Sequence, residues 1–213
     1  MLKFIYWVIY KCKNFSQGNE EKILSEIFKN QQYGYYIDIG AHHPFRYSNT
    51  AMLYRKGWSG INIEGSKHNM RLFKYFRKRD INLNCVISNI KNPVTFYYFK
   101  ESALNGILSE NRLKSLKKNG FMPTNKEKIT PLTLDKVLEL HLPKGKRIDL
   151  LTLDVEGHDF QVLKSLDLGK YYIKIILTEA NENKIPLNQY LLKNGYHLFK
   201  TEDRNLFYIK GKL

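Results

Sequence analysis

The stretch YYIDIGAHHPFRYSNT, residues 35–50, decides the fold of this chain. It begins with an apolar run, broken only by Asp38, which is typical of a buried strand. Gly40 follows, and because glycine adopts backbone conformations closed to other residues, the chain can turn tightly there. Ser48 or Asn49 can then cap a helix over the following segment. The stretch therefore predicts a buried strand, a tight turn and a helix.

The same alternation continues outward along the chain. Short apolar runs are separated by segments with helical spacing, and Ser66 is placed to cap the second helix. This order predicts an α/β fold with a doubly wound, mostly parallel sheet, followed by a terminal hairpin over residues 196–210. The further predicted strands are GINIE (60–64), INLNCVIS (81–88), VTFYYFK (94–100), IDLLTLD (148–154) and IKIILTE (173–179).

A length of 213 residues suits one domain with a real core. We predict a helical segment over residues 1–30, packed on the domain or lying at a membrane interface, and one α/β domain over 31–213. The apolar stretch 4–10 is too short to cross a bilayer, which needs about 20 residues. The polar stretch at about 101–127 is interpreted as an insertion or lid.

The net charge of +15 has two interpretations. It can serve a partner that carries phosphate or carboxylate, or it can reflect composition alone. Four basic residues share one face of the second predicted helix, which is either a solvated surface or a contact for an anionic glycan or lipid-linked sugar phosphate. Nucleic acid is less favoured because no recognisable nucleic-acid-binding module accompanies these charges. The four residues are Arg71, Lys74, Arg77 and Lys78.

The two cysteines, Cys12 and Cys85, lie far apart and match no metal spacing. A disulfide scaffold is therefore not expected, and a reducing compartment fits best. We predict a cytoplasmic protein, with peripheral contact at the inner face of the membrane as an open alternative.

Four apolar strands end in acids: Asp38, Glu64, Asp154 and Glu179. Because ligands of a doubly wound sheet sit at the carboxyl ends of its strands, these acids are expected to meet at one edge. A bare carboxylate there is costly unless water, a partner or a ligand satisfies it. One such acid is often only a helix cap, but four in matching positions predict a polar crevice.

The glycine pattern separates two cofactors that would fit this crevice. A dinucleotide needs a Gly-x-Gly-x-x-Gly turn for its pyrophosphate, whereas only Gly40 is present and the next positions hold two histidines and a proline. S-adenosyl-L-methionine has no phosphate, and its ammonium and sulfonium groups favour a nearby acid such as Asp38. Glu64, after the second strand, can accept both ribose hydroxyls. The pattern favours S-adenosylmethionine.

Five segments in this order resemble the FkbM-type S-adenosylmethionine-dependent methyltransferases, over roughly residues 16–210. The resemblance implies a Rossmann-like class I methyltransferase fold with a final antiparallel strand, NLFYIK. It also implies an O-methyltransferase acting on sugar hydroxyls of natural products, surface polysaccharides or glycolipids. The segments are SQGNEEKIL, YYIDIGAHHPFRYSNTAMLYRKGWSGINIEGS, LNCVISN, SALNGILSE and IDLLTLDVEGHDFQVL.

The resemblance also implies a role for individual residues. The loop around the amino acid part of the cofactor would include Asp38, Gly40, Ala41, His42 and Asn49. Glu64 would hold the ribose beside Gly65 and Ser66, Ser88 and Asn89 would lie near the adenine, and Asp154, Glu156 and Gly157 would lie beside the methyl group and the acceptor. Gly106 and Ile107 depart from the expected polar and aromatic pair after Asn105.

A sugar hydroxyl is a poor nucleophile, so methyl transfer requires a base or a metal ion. His158 is the favoured base by residue type, because imidazole titrates nearest neutral pH, although it can also be a helix-surface histidine. Asp154 and Glu156 alternate with Val155, so an extended backbone would point both carboxylates the same way. The predicted catalytic residues are therefore Asp154, Glu156 and His158.

A divalent cation such as Mg²⁺ is the alternative means of acidifying the hydroxyl. Asp154 could bind it together with Glu179 and Asn181, although such carboxylates often bond backbone amides instead. His42 and His43 do not form a zinc motif, because no further ligand stands at the required spacing. One of these histidines is expected to line the cofactor site and the other to pack against the following helix.

Three functions remain open from the sequence. The first is methylation of a carbohydrate or glycolipid acceptor, including anionic ones. The second is methylation of a nucleic acid, but DVEGHD (154–159) stands where a base methyltransferase would carry Asn/Asp-Pro-Pro-aromatic. The third is a basic, non-catalytic protein that retains the fold on a glycan or membrane. The sequence makes no prediction of oligomeric state.

Overall fold

The computed structural model describes residues 15–179 and 184–211. The helices are α1 (Glu20–Ile27), α2 (Ala51–Arg55), α3 (Lys67–Phe76), α4 (Glu110–Lys118), α5 (Leu134–His141), α6 (Asp159–Leu163) and α7 (Lys184–Lys193). The strands are β1 (Tyr35–Ile39), β2 (Ser59–Ile63), β3 (Ile81–Leu83), β4 (Val94–Phe99), β5 (Pro123–Ile129), β6 (Ile148–Leu153), β7 (Ile173–Glu179), β8 (Tyr196–Glu202) and β9 (Asn205–Lys210), and Ser102–Leu104 forms a 3₁₀ turn.

The main sheet has the order β3-β2-β1-β6-β7-β9-β8. The first five strands run parallel, whereas β9 is antiparallel to both β7 and β8. The predicted α/β fold, with its mostly parallel sheet and terminal antiparallel strand, is thus confirmed. The strand order reverses at β1, between β2 and β6, and this switch point is where an open α/β sheet forms its ligand crevice.

Helices cover both faces of the sheet, which explains why its central strands read as continuous apolar runs. All five residues of β1 are buried. On one face α5, α6 and α7 pack on the sheet, and on the other α1 and α2 do. Trp58 is fully buried there, with its ring 4.8 Å from that of Phe28.

The predicted N-terminal segment is only partly described. Residues 1–14 lie outside the described residues, and α1 packs into the core through Ile23 and Leu24. None of the described helices is long and apolar enough to cross a membrane.

Strand β3 is shorter than predicted, because it ends at Leu83 rather than at Ser88. The side-chain amide of Asn84 donates to the backbone carbonyls of Glu64 and Gly65, at 2.8 and 2.9 Å. The pairing of β3 with β2 therefore ends before Asn84, whose side chain instead binds the backbone that follows β2.

Residues 94–129 form a second unit beside the main sheet. Strands β4 and β5 pair as an antiparallel two-stranded sheet, and the 3₁₀ turn and α4 lie between them. The segment expected to be an insertion, 101–127, falls within this unit. Strand β5 was not predicted, because PTNKEKI is polar and mostly exposed and so lacks the apolar alternation of a half-buried strand.

The predicted cap of α2 is wrong. Thr50, not Ser48 or Asn49, occupies the N-cap, and its side chain accepts no cap hydrogen bond. The Thr50 hydroxyl instead donates to Asp38 at 2.6 Å and accepts from Arg77 at 2.6 Å. By contrast, Ser66 caps α3 as predicted, accepting a hydrogen bond from the backbone of Asn69.

The prediction of a shared basic face on α3 is wrong for Arg77, which is fully buried. The helix ends at Phe76, and Arg77 at the C-cap has φ −118° and ψ 52°, so its side chain no longer follows the helical face. The guanidinium donates to Asp80 at 3.0 Å and to the hydroxyls of Thr50 and Tyr36, at 2.6 and 3.1 Å.

Candidate active site

A pocket lies at the carboxyl edge of the main sheet, at the switch point, and has about 510 Å³ of empty space when the solvent at its open mouth is included. We call it the cofactor pocket. Its floor comes from the ends of β1, β2 and β6, and its outer wall from β4 and the 3₁₀ turn. The main contributors are Gly40, His42, Glu64, Gly65, Val86, Ile87, Phe96, Ser102, Asn105, Asp154, Val155 and His158.

Gly40, in the turn after β1, lies directly against the backbone at the end of β6. Its φ is +80°, and a Cβ atom at this position would lie 1.9 Å from the backbone oxygen of Asp154. Its backbone N–H donates to the carbonyl of Ile63 at 3.0 Å. Only a glycine allows the turn after β1 to pack this closely against the backbone that follows β6.

Glu64 is a buried carboxyl group in the pocket wall, only 6% exposed. It accepts hydrogen bonds from the backbone N–H groups of Ser66, at 2.6 Å, and His42, at 2.8 Å. Burial raises the pKa of Glu64 to about 7, against the lowering effect of these two bonds. The group is held rigidly and can accept further hydrogen bonds from hydroxyls in the pocket.

Asp38 does not line the cofactor pocket, so the expected contact between its carboxylate and the cofactor is not supported. Its Oδ2 accepts from the hydroxyl of Thr50, which in turn accepts from Arg77. Burial raises the pKa of Asp38 to about 6, while Thr50 and Arg77 act in the opposite direction. Asp38 belongs to a buried polar network that holds the loop after β1.

The two histidines of the opening stretch have different positions. His42 lines the pocket at φ +51°, its Nε2 lies 3.1 Å from the Ser102 hydroxyl, and its Nδ1 is buried with no partner among the described atoms. Burial lowers its pKa. His43 Nδ1 accepts from the backbone of Phe45 and Arg46 and so closes the turn.

The residues expected beside the ribose differ in what they contact. Gly65 lines the pocket, and a Cβ there would meet the Phe96 ring at 2.5 Å. Ser66 is buried and caps α3. Ala41 packs under the loop against Met70 and Phe73 rather than facing the pocket.

The residues expected near the adenine are also separated. The buried Ser88 hydroxyl lies 2.9 Å from Nε2 of His158, and Asn89 lines a different surface depression. Asn49 donates to the hydroxyl of Thr152 at 3.3 Å. The apolar wall comes instead from Val86, Ile87 and Phe96, residues missed in the sequence, although the aromatic run at 94–100 was a signal for Phe96.

The surroundings of His158 oppose its role as the general base. The ring is buried at the start of α6, and burial lowers its pKa to about 4. A general base works best with a pKa near the operating pH, so an imidazole this weakly basic has little driving force to take a proton. His158 supports the pocket wall through Ser88.

Asp154 lies where the cofactor pocket meets a second crevice. We call the second one the acceptor crevice; its lining also includes Gln17, Gly18, Glu20, Glu179, Asp203, Arg204 and Asn205. The Asp154 side chain is open to this space, yet its depth within the protein raises its pKa well above the usual range. The carboxylates of Glu179 and Glu156 add to this increase.

Glu156 does not point the same way as Asp154, contrary to prediction. The backbone turns here, with φ +54° at Glu156, so the extended geometry behind that prediction is absent. Its carboxylate instead forms an ion pair with Arg112 of α4, at 2.5 Å. Glu156 therefore connects the strand end to the unit of residues 94–129.

The structure gives no support for the predicted cation site. Within residues 15–179 and 184–211 no cluster of three or more His, Cys, Asp or Glu residues has metal-binding geometry. The carboxylate of Glu179 lies 3.7 Å from the guanidinium of Arg204. Asn181, the third proposed ligand, lies outside the described residues.

The order of the main sheet, the glycine turn and the acid after β2 together define an α/β protein of the Rossmann-like class I methyltransferase type. The family model of the FkbM methyltransferase domain matches residues 38–198, and the chain belongs to this family of S-adenosylmethionine-dependent methyltransferases. No curated protein matches the chain.

Three solved structures are similar in fold. M. capricolum TrmK in complex with S-adenosyl-homocysteine has 11% identity and a TM-score of 0.43, covering 88% of this chain and 66% of its own. The putative RNA methyltransferase PH1948 from Pyrococcus horikoshii has 10% identity and a TM-score of 0.44, covering 99% of both chains. The METTL16 MTase domain has 10% identity and a TM-score of 0.43, covering 90% of this chain and 65% of its own.

Proposed function

We propose that this protein is an O-methyltransferase that binds S-adenosyl-L-methionine in the cofactor pocket and methylates a hydroxyl of a carbohydrate or glycolipid in the acceptor crevice. The observation that carries the proposal is the position of Asp154, whose carboxyl group borders both spaces. A donor on one side and an acceptor on the other would meet at this residue.

The residues of the cofactor pocket fit an adenosyl cofactor. The buried Glu64 can accept from a ribose diol, and the apolar wall of Val86, Ile87 and Phe96 suits a purine. Gly40 lines the same pocket and lets the turn after β1 lie directly against the backbone of Asp154. When bound, the cofactor supplies a methyl group activated by positively charged sulfur.

The role of the protein residues is to align the acceptor and to take its proton. The raised pKa of Asp154 makes its carboxylate a stronger base than an ordinary aspartate, and its position between the two spaces suits it to take a proton from the acceptor hydroxyl. Glu179, on the same crevice, can accept a hydrogen bond from a neighbouring hydroxyl and so orient the acceptor. His158 and Glu156 then act as supports of the two walls.

The charge of the acceptor crevice favours a polyhydroxyl acceptor over a nucleic acid. The lining carries four carboxylates and one guanidinium, that of Arg204; the carboxylates are those of Glu20, Asp154, Glu179 and Asp203. Carboxylates accept hydrogen bonds from sugar hydroxyls, whereas they repel phosphate oxygens. The net charge of +15 thus resides elsewhere on the surface and does not define the crevice.

The test is to incubate the protein with labelled S-adenosylmethionine and either surface glycan extracts or RNA, with and without a chelator. We expect label in the glycan fraction, and lower labelling in Glu179→Gln, by about tenfold, because a hydrogen bond to a charged group is lost. Glu139→Gln, at an exposed site far from the crevice, serves as control.

Each outcome of that test has a defined meaning. Labelling of RNA in preference to glycans would contradict the proposed acceptor class. Cofactor binding seen by calorimetry with no transfer to any acceptor would support the non-catalytic alternative. If a chelator abolishes methyl transfer and added Mg²⁺ restores it, the result would support the cation site predicted at Asp154, Glu179 and Asn181.

The affinity for S-adenosylhomocysteine, the demethylated cofactor, is expected to fall as the pH drops below about 7. The pKa of Glu64 is raised to about 7, so acid protonates the carboxylate that would accept from the ribose diol. The decrease approaches about tenfold per pH unit below that pKa. Calorimetric titrations over a pH series measure it.

Glu64→Gln should abolish most of this pH dependence and weaken binding about tenfold or more at alkaline pH, where the charged hydrogen bonds are complete. Glu110→Gln, at the exposed start of α4, should behave as wild type. A pH profile that is unchanged in Glu64→Gln would remove this residue from ribose recognition.

A further inference from the structure

The turn between α4 and β5 exposes two adjacent apolar side chains. Phe121 is 45% exposed and Met122 is 61% exposed. They follow Gly120, whose φ of +83° ends the helix and directs the chain outward. We call residues 120–123 the apolar tip. The two side chains are adjacent and form one apolar spot on the surface, a feature that can mark an interaction site when polar residues surround it.

Lysines surround the apolar tip on both sides. Five exposed lysines lie in α4 and β5, and within the described part of the chain none of them is within ion-pair distance of a carboxylate. Their charge is therefore available to an anionic partner. The five are Lys114, Lys117, Lys118, Lys126 and Lys128.

We propose that the apolar tip inserts into the surface of an anionic lipid bilayer, with the surrounding lysines meeting the lipid headgroups. Apolar side chains beside lysines are the combination that holds a peripheral protein at a membrane interface. A soluble polyanion would use the lysines alone. A single strand of nucleic acid would require stacking surfaces, and Met122 has no ring.

The position of α4 connects the membrane contact with the active site. Arg112, one turn into this helix, pairs with Glu156 beside the acceptor crevice. From Arg112 to the end of α4 at Lys118 the helix rises about 9 Å, and Phe121 follows just after the helix end. A bilayer at the apolar tip would thus lie near the crevice. The link between the bilayer and the crevice rests on the proposed function, because it assumes that the acceptor is a lipid-linked glycan. The proposal that the apolar tip binds lipid does not rest on the proposed function.

The test uses the full chain and vesicle flotation in the absence of cofactor and acceptor. We expect binding to phosphatidylcholine vesicles that contain phosphatidylglycerol, weak binding to phosphatidylcholine alone, and release by salt. The double variant Phe121→Ser/Met122→Ser should weaken the partition to anionic vesicles by about tenfold or more. Lys117→Gln/Lys118→Gln should have a similar effect.

Tyr75→Ser is the matched control, because Tyr75 is 69% exposed and lies between the basic residues of α3. It should bind vesicles as wild type does. Wild-type partition in the Phe121→Ser/Met122→Ser variant, or an equal loss in Tyr75→Ser, would overturn the proposal. A third result would also overturn the proposal: the protein binds no vesicles, but binds heparin or RNA in a way that requires the apolar tip. Vesicle binding without methyl transfer would contradict only the proposed function.

Discussion

Asp154→Asn is expected to lower the rate of methyl transfer by about two to four orders of magnitude, because the amide cannot take the acceptor proton. The substitution preserves the shape of the side chain at the boundary of the two spaces. The measurement is single-turnover transfer at saturating cofactor, alongside the affinity for S-adenosylhomocysteine. A loss in rate much larger than the loss in affinity identifies Asp154 as the base.

Asp203→Asn is the control for this experiment. Asp203 lines the acceptor crevice but lies at the exposed β8–β9 turn, so it carries a similar charge without bordering the cofactor pocket. We expect its transfer rate to stay within about threefold of wild type. Normal turnover in Asp154→Asn would remove Asp154 from the mechanism, and equal losses in both variants would point to the charge of the crevice rather than to a base.

Arg77→Met is expected to lower the free energy of unfolding by about 3–5 kcal/mol, the effect of removing one partner from a buried ion pair. The guanidinium is fully buried, and its removal takes a donor from the Pro44 carbonyl and the Thr50 hydroxyl. It also leaves the buried Asp80 carboxylate without its cation, although Tyr36, Gly60 and Asn62 still donate to that carboxylate. Methionine fills similar space but donates nothing. Urea unfolding followed by circular dichroism measures the change.

Arg71→Met, at an exposed position of the same helix, should change the free energy of unfolding by no more than about 0.5 kcal/mol. The double variant Arg77→Met/Asp80→Asn completes a cycle with its two single variants. We expect it to be less destabilised than the sum of the two, because the unpaired buried charge is gone. Additive effects, or wild-type stability in Arg77→Met, would show that the pair does not stabilise the fold.

The central strands and their terminal acids were predictable from local pattern. A strand covered by helices on both faces must be apolar throughout, which is why β1, β6 and β7 stand out in the sequence. The positions of Glu64 and Asp154 follow, since the carboxyl ends of parallel strands share one edge. Residues 94–129 were less predictable, because an exposed strand such as β5 carries no apolar alternation.

Asp38 and Glu64 show where such prediction stops. Both were predicted from the same pattern, an acid at the end of an apolar strand. Glu64 lines the cofactor pocket, whereas Asp38 is engaged by Thr50 and, through it, by Arg77. The difference between the two acids depends on Arg77, which lies far from Asp38 in the sequence. The spacing of residues around β1 contains no information about that partner.

Residue order alone determined the alternation of buried strands and helices, the sheet class that follows from it, and the edge where the acids gather, because burial on two faces leaves a local periodic signal. Tertiary structure alone decided which of those acids line the cofactor pocket. Arg77 leaves the exposed face where α3 ends, and Glu156 turns to Arg112 where the backbone adopts a positive φ. Side-chain direction depends on such local backbone breaks and on distant partners, which periodicity does not encode.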